Sequence, residues 1–280
     1  MSRNKILCLS DTDEQVRENA SLYSGDKGGV QKTNVKVYSH ETGELVFEGS
    51  NKVIVAGSAF TAAKHFNITP SIWTPSYNQV LKLDNTVDEP YDGEGIRPDE
   101  KIQLFCVGIG GCGIEQSQVY PVDYTKWISP EELVPFRYQN EDNDLGASMR
   151  ELYFGRQTLA NGFIAYNFKA FDSKPVFKQQ YTDGTPIDEN IYISERTDDV
   201  ESFVEIKMSV TKDDCRDFFK ETTGINTAQI SSISLLEAWV KEIDGYKYYQ
   251  DVKPTTKYNF SNESLIDLTK GIDIIYDIYY

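Results

Sequence analysis

Histidine is nearly absent, with only His40 and His65 in 280 residues. Neither is joined by a second histidine or a cysteine at i±2 or i±4, so a zinc site or a histidine-based triad would need long-range convergence that nothing in the sequence signals. Surface or capping roles are expected for both. Cysteine is scarce too: Cys8, Cys106, Cys112 and Cys215 show no C-x-x-C spacing, which points to reduced, structural thiols. Basic residues are in deficit, 28 Lys and Arg against 44 Asp and Glu, for a net charge of −16. That balance disfavours phosphate contact, so neither direct nucleic acid nor an anionic membrane surface is expected as a partner. No apolar run approaches the 18 or so residues of a membrane helix, and the leading MSRNKILCLSDTDEQ holds too short an apolar run for a signal peptide. Also missing are G-x-S-x-G, a P-loop and H-E-x-x-H.

What is present argues for a folded β-rich chain. Hydrophobic residues make up 39% and aromatics 12%, too apolar for a disordered protein and enough for a sizeable core. Residues 1–33 are polar and glycine-containing, with Ile6, Leu7, Leu9 and Leu22 as scattered apolar anchors, and read as an extended N-terminal arm. Residues 34–280 read as a single mainly β domain. Val35 and Val37 answer Leu45 and Phe47 across Glu41-Thr42-Gly43, a hairpin pattern. Asn51–Phe66 carries apolar and small residues at helical spacing after Ser50, and predicts one amphipathic helix capped by that serine. A long acidic loop is expected at 67–100, where four prolines fall; loops of that length are usually functional or contact surfaces.

Further along, Ser129-Pro130-Glu131-Glu132 reads as a helix start that Pro135 ends, and Thr211-Lys212-Asp213-Asp214 as a capping box for a short helix stopped by Gly224. Strands are predicted at Phe163–Phe171, with Ile164, Tyr166, Phe168 and Ala170 on one face, and at Phe203–Val210, with one face buried. Ile230–Val240 and Tyr246–Val252 should pair across Asp244-Gly245, and Ile272–Tyr280 is apolar enough to require a place inside a sheet. The fold class expected is mainly β: antiparallel, sandwich-like sheets with one sizeable helix and a few short helices.

The most apolar run, Lys101–Gly113, ends in Gly108, Gly110 and Gly113, which fit G-x-G-x-x-G after a buried strand. A dinucleotide site also requires a helix opening inside the glycines to hold the pyrophosphate, and IEQSQVYPVDY, with Pro121, does not supply one. The glycines are therefore read as a tight turn at the end of a core strand. Acidic runs at Asp11–Glu14, Glu141–Asp144 and Asp198-Asp199 lack the spacing of a calcium loop and read as solvated turns. No catalytic, cofactor-binding or metal-ligating residue is assigned, and no cofactor is expected. The 18 tyrosines, among them Tyr246, Tyr248, Tyr249, Tyr276, Tyr279 and Tyr280, suit protein contact or a half-buried sheet face.

The order of segments resembles structural proteins of tailed-bacteriophage particles. The residues that carry this are Asn51–Gly57, Leu104–Gly113, the Leu-Val-Pro-Phe-Arg turn at Leu133–Arg137, Ile230–Leu236, Thr256-Lys257 and Ile272–Ile278. The resemblance implies a virion protein assembled in a host cytoplasm, in the neck, tail or a tail-associated assembly. Such a subunit is non-enzymatic and works through contacts with copies of itself and other virion proteins. A capsid-associated auxiliary protein of the same particle is one alternative. Another is a carbohydrate-binding or carbohydrate-cleaving β-sandwich with two carboxylates in a cleft lined by Trp73, Trp127 or Trp239.

Overall fold

The computed structural model describes residues 33–53, 55–68, 76–110, 112–115, 118–121, 132–187, 200–226, 228–259 and 270–280. Its strands are β1 (Thr33–Ser39), β2 (Leu45–Val53), β3 (Lys101–Gly108), β4 (Cys112–Glu115), β5 (Gln118–Pro121), β6 (Leu133–Val134), β7 (Arg137–Asn140), β8 (Tyr153–Thr158), β9 (Phe163–Ala170), β10 (Val176–Tyr181), β11 (Val200–Val210), β12 (Ser232–Ile243), β13 (Tyr246–Pro254), β14 (Thr256–Asn259) and β15 (Ile272–Tyr279). Three α-helices accompany them: α1 (Val55–Phe66), α2 (Tyr77–Val80) and α3 (Arg216–Thr223). The chain is mainly β, antiparallel and sandwich-like, as its alternating pattern implies.

Thirteen strands form one sheet in the order β10-β11-β15-β1-β2-β14-β12-β3-β9-β7, with β13 on β12, β6 on β3 and β8 on β9. The sheet folds over on itself at the short β2–β14 pairing, where Val53 meets Thr256 and Lys52 meets Lys257. One leaf is then β10-β11-β15-β1-β2, and the other is built on β12, β3 and β9. Between them lies the main core, with Val35, Val37, Ile206, Met208, Ile274 and Tyr276 from the first leaf against Phe105, Val107, Ile233, Leu235 and Tyr166 from the second. The closing strand β15 lies inside the first leaf, bonded to β1 on one side and β11 on the other, so its apolar residues have no open edge.

The second leaf is buried on both faces, which is why β3 reads as a continuous apolar run rather than an alternating one. Leu104, Cys106, Leu236, Ala238, Val252 and Phe168 face away from the main core and are covered by Tyr77, Leu81 and Leu83. Within the long loop expected at 67–100, Ser76 begins a helical turn by accepting the Asn78 N–H, and residues 76–83 lie over the leaf as a cover. Asn78 fixes it there, donating to the Tyr249 carbonyl at 2.9 Å and accepting from the Val252 N–H at 2.8 Å. β9 is likewise buried on both faces: Ile164 and Tyr166 belong to the main core but Phe168 to the outer one.

Two further boundaries differ from expectation. The helix predicted over Asn51–Phe66 begins only at Val55, because Asn51 pairs with Thr33 in β1 and Lys52 and Val53 pair with β14. The β-branched run around Val53 favours the extended state, and sheet pairing overrides the helical spacing. The helix predicted from Thr211 begins at Arg216, since Cys215 adopts φ +62° and breaks the turn. Half of the capping box still forms, with Asp214 accepting the Thr211 N–H at 2.8 Å, and Gly224 stops the helix at φ +75° as its position implies. The Asp244-Gly245 turn joins β12 to β13 with both residues left-handed, at φ +52° and +78°. The Ser129–Glu131 helix start and residues 1–32 lie outside the described residues.

Gly155 shows how closely the second leaf is packed. It sits in β8 at φ +67°, and a Cβ there would come within 2.4 Å of the buried Phe168 ring. Gly155→Ala is expected to destabilise the fold by roughly 2 to 4 kcal/mol, left-handed strain plus overpacking. The check is a fall in the urea midpoint at unchanged denaturant slope.

Candidate functional site

Among the described residues, the glycines after β3 lead into a strand. Gly108 still pairs within the sheet, Gly110 turns at φ +120° with its N–H donated to the Ser231 hydroxyl, and the chain enters strand β4, which pairs with β5. No helix N-terminus stands over them among the described residues. His40 contacts the Asp273 carboxylate at 2.9 Å on an exposed turn, and His65 reaches the Thr61 carbonyl one helical turn back. Glu141–Asn143 forms a 3-10 turn capped by Asn140. Asp144 beside it is held by protein donors: Tyr166 Oη at 2.7 Å, the Leu145 N–H, Arg156 and Arg150. Burial opposes its ionisation, yet those donors keep its carboxyl below the usual range. The runs at 11–14 and 198–199, with Trp73 and Trp127, lie outside the described residues. Trp239 is buried, and the Arg97 guanidinium stacks on it at 3.9 Å.

Two charged clusters that sequence reasoning missed lie in the interior. The first centres on a carboxylate that is fully paired. Asp214, fully buried, accepts from Tyr153 Oη (2.7 Å), Lys169 Nζ (2.8 Å) and the Thr211 N–H (2.8 Å), and forms an ion pair with Arg137 Nη2 (3.1 Å), which itself donates to Tyr153 Oη. Lys169 also donates to the Ser209 carbonyl at 2.8 Å. Both carboxylate oxygens are used, so this cluster ties β7, β8, β9 and the β11–α3 turn together, while Arg137 Nε and Thr211 Oγ1 beside it are buried without a hydrogen-bond partner.

The second cluster is incomplete, and two bulges create it. The β3–β12 register shifts so that Leu236 faces Leu104 but Glu237 faces Ile102, leaving Gln103 extra. On the other side of β12 the register shifts again near Asp251, whose φ is +53°. Between the bulges Glu237 sits 1% exposed, opposite Lys253. Glu100 stands nearby, 5% exposed, with Oε1 3.6 Å from Lys253 Nζ and no hydrogen bond to that oxygen. Glu237 Oε2 is equally without a hydrogen-bond partner. Burial, with the neighbouring Glu100 charge, pushes the Glu237 carboxyl up to about 9, and burial raises Glu100 too. Lys64 from α1 closes the group, donating to the Arg97 carbonyl at 2.5 Å. One sequence signal could have found it: Glu237 is the lone acid within the apolar run Leu235–Val240.

Glu100 also lines a cavity of about 290 Å³ at the open end of the sandwich. Phe60, Lys64 and Ile102 form one wall; Val204, Ile206, Ile278 and Tyr280 form the other. The bulge at Gln103 matters here, since it turns Ile102 toward the main core and this cavity. The cavity opens beside an apolar margin. Phe177 is 51% exposed and Tyr280 66%, with Val176 and Tyr181 also exposed. Thr185–Ile187 return along the outer side of β10 and bond to Gln179 and Tyr181, but Val176–Lys178 has no strand on that side among the described residues.

Searches of family models, curated proteins and solved structures found no match to the chain.

Proposed function

We propose that the chain is a non-enzymatic structural subunit of a tailed-bacteriophage particle, in the neck, tail or a tail-associated assembly, working through contacts with copies of itself and other particle proteins. The observation that carries a contact role is the apolar margin of β10. Exposed Phe177, Val176 and Tyr181 on an outer strand, with Tyr280 beside them, form a surface that a solitary protein would blunt with charge. Placement in a phage particle rests on the segment order of the sequence, and a capsid-associated role in the same particle uses the same surface.

Two buried carboxyls near a tryptophan favour a carbohydrate-directed reading instead. Arg97 covering Trp239 and Lys253 beside Glu100 weigh against it, since neither the stacking face nor the acid is free for a sugar.

Sedimentation at high concentration tests the proposal. A ring or larger oligomer is expected; a strict monomer at every concentration overturns it. Phe177→Ser should weaken self-association at least tenfold, the loss expected on removing one buried aromatic, while leaving the monomer's stability within about 0.5 kcal/mol. A glycan array and a depolymerisation assay should both be blank.

A further inference from the structure

We propose that Lys169 and Asp214 condense to an amide, Nζ to Cγ with loss of one water, so that the interior carries a covalent cross-link between the two leaves. Such a link needs no partner chain and is independent of the assembly reading above.

Lys169 is 1% exposed and Asp214 fully buried, and Nζ lies 2.8 Å from Oδ2. Nζ also donates to the Ser209 carbonyl at 2.8 Å, which holds the amine against the carboxyl, and the rings of Phe136 and Tyr153 stand 5.9 and 5.5 Å away. A nucleophile and an acyl group fixed side by side in a closed interior meet at effective concentrations far above those of free reactants. The two carboxylate oxygens are held differently. Oδ1 accepts from the Tyr153 hydroxyl at 2.7 Å and pairs with the Arg137 guanidinium at 3.1 Å, whereas Oδ2 accepts from Lys169 and from the Thr211 N–H. A cation and an O–H donor thus converge on the one oxygen where a tetrahedral intermediate would place its negative charge. Burial, with the Asp214 charge, raises the Tyr153 hydroxyl above its usual range, so it stays a donor.

The condensation balances without a co-reactant. One proton passes from Nζ to Oδ2 along their hydrogen bond, leaving a neutral amine beside a neutral acid. The Nζ lone pair forms the N–C bond at Cγ, and the C=O electrons move to Oδ1 beneath Arg137 and Tyr153. A second proton moves from Nζ to the Oδ2 hydroxyl, the Cγ–Oδ2 bond breaks, and water departs as the carbonyl re-forms on Oδ1. Thr211, whose N–H bonds Oδ2, also carries a buried hydroxyl without a hydrogen-bond partner, a contact for the departing water. The amide keeps one N–H for the Ser209 carbonyl, and Arg137 keeps the Asp213 carbonyl as an acceptor.

The position of the pair gives the link a use. The long sheet folds over at β2–β14, and β11 and β9 each lie three strands from that fold, on opposite leaves. Lys169 stands in β9 and Asp214 in the turn that follows β11, so the amide clasps the sandwich on the side away from its fold. It joins residues 45 apart in the chain and so restricts the unfolded state as a disulfide does.

Mass spectrometry of the purified full chain under denaturing, reducing conditions tests the link. A mass one water below that of the sequence is expected, with a branched tryptic peptide joining Lys169 to Asp214. Lys169→Arg keeps the positive charge but does not condense, and should restore the full mass. In a pulse-labelled chain, Tyr153→Phe should slow the loss of water at least tenfold, because it removes one donor from Oδ1. A folded original chain of full mass, in which trypsin cleaves after Lys169, overturns the cross-link whatever the variants do. A water loss that maps instead to a succinimide at Asp92, Asp183 or Asp244, each followed by glycine, overturns it equally.

Discussion

Replacing Asp214 by alanine should lower the stability of the fold by about 3 to 5 kcal/mol, the usual cost of removing one partner from a buried ionic group. Its carboxylate takes three hydrogen-bond donors, from Tyr153, Lys169 and Thr211, and an ion pair with Arg137. The largest consequence falls on Lys169, which is 1% exposed and would retain only the Ser209 carbonyl. A buried ammonium without its counter-ion either stays charged at high cost or gives up its proton, and both outcomes destabilise the fold near neutral pH. Urea unfolding is the measurement. A double-mutant cycle with Lys169→Met should show strong coupling, because once the ammonium is gone the loss of Asp214 strands one fewer charge. A cost under about 1 kcal/mol for Asp214→Ala would mean that its partners find water or other acceptors, and that the cluster does not tie the leaf together.

Glu237→Gln should act in the opposite direction. The folded carboxyl titrates at about 9 against an ordinary value of 4.5, because burial and the nearby Glu100 charge both disfavour its ionised form. Between those two values the unfolded chain has lost the proton and the folded chain keeps it, so folding must take one up. The stability associated with this group is therefore fully present below about pH 4.5 and declines as pH rises toward 9. At pH 7 the gap of about 2.5 units amounts to roughly 3 kcal/mol. Glutamine keeps the shape of the protonated acid and does not titrate, so the variant should be more stable by about that amount at pH 7. It should match the original at pH 4 and lead by more at pH 8. Unfolding curves at the three pH values provide the check. A variant less stable than the original at pH 7 would show that Glu237 is ionised there and paired with Lys253 across the strand.

Much of the architecture was legible from local pattern. The hairpin of Val35 and Val37 against Phe47, the β12–β13 pair joined at Asp244-Gly245 and the helix stop at Gly224 each follow from short-range rules of alternation or left-handed turns. The interior place of Ile272–Tyr279 followed from its apolarity alone. The misread helix start at Asn51 shows the limit of such rules. Helical spacing is a property of the segment, whereas Asn51 and Lys52 are extended because Thr33 and Lys257 bond to them from 18 residues before and 205 residues after. The cover formed by Tyr77, Leu81 and Leu83 went unread for the same reason, since nothing near 67–100 states that the second leaf has an outer apolar face in need of one.

By itself the sequence determined a mainly β, acidic chain with few histidines, no familiar catalytic motif and a glycine turn too short of helix to hold a dinucleotide, because composition and local periodicity depend only on neighbouring residues. The tertiary structure alone decided that Asp214 and Lys169 meet in the interior, that two bulges set Glu237 beside Glu100, and that the sandwich stays open next to Phe177. Those facts depend on which strands pair and in what register. Register is settled by the summed burial of both leaves, a quantity that no single segment carries.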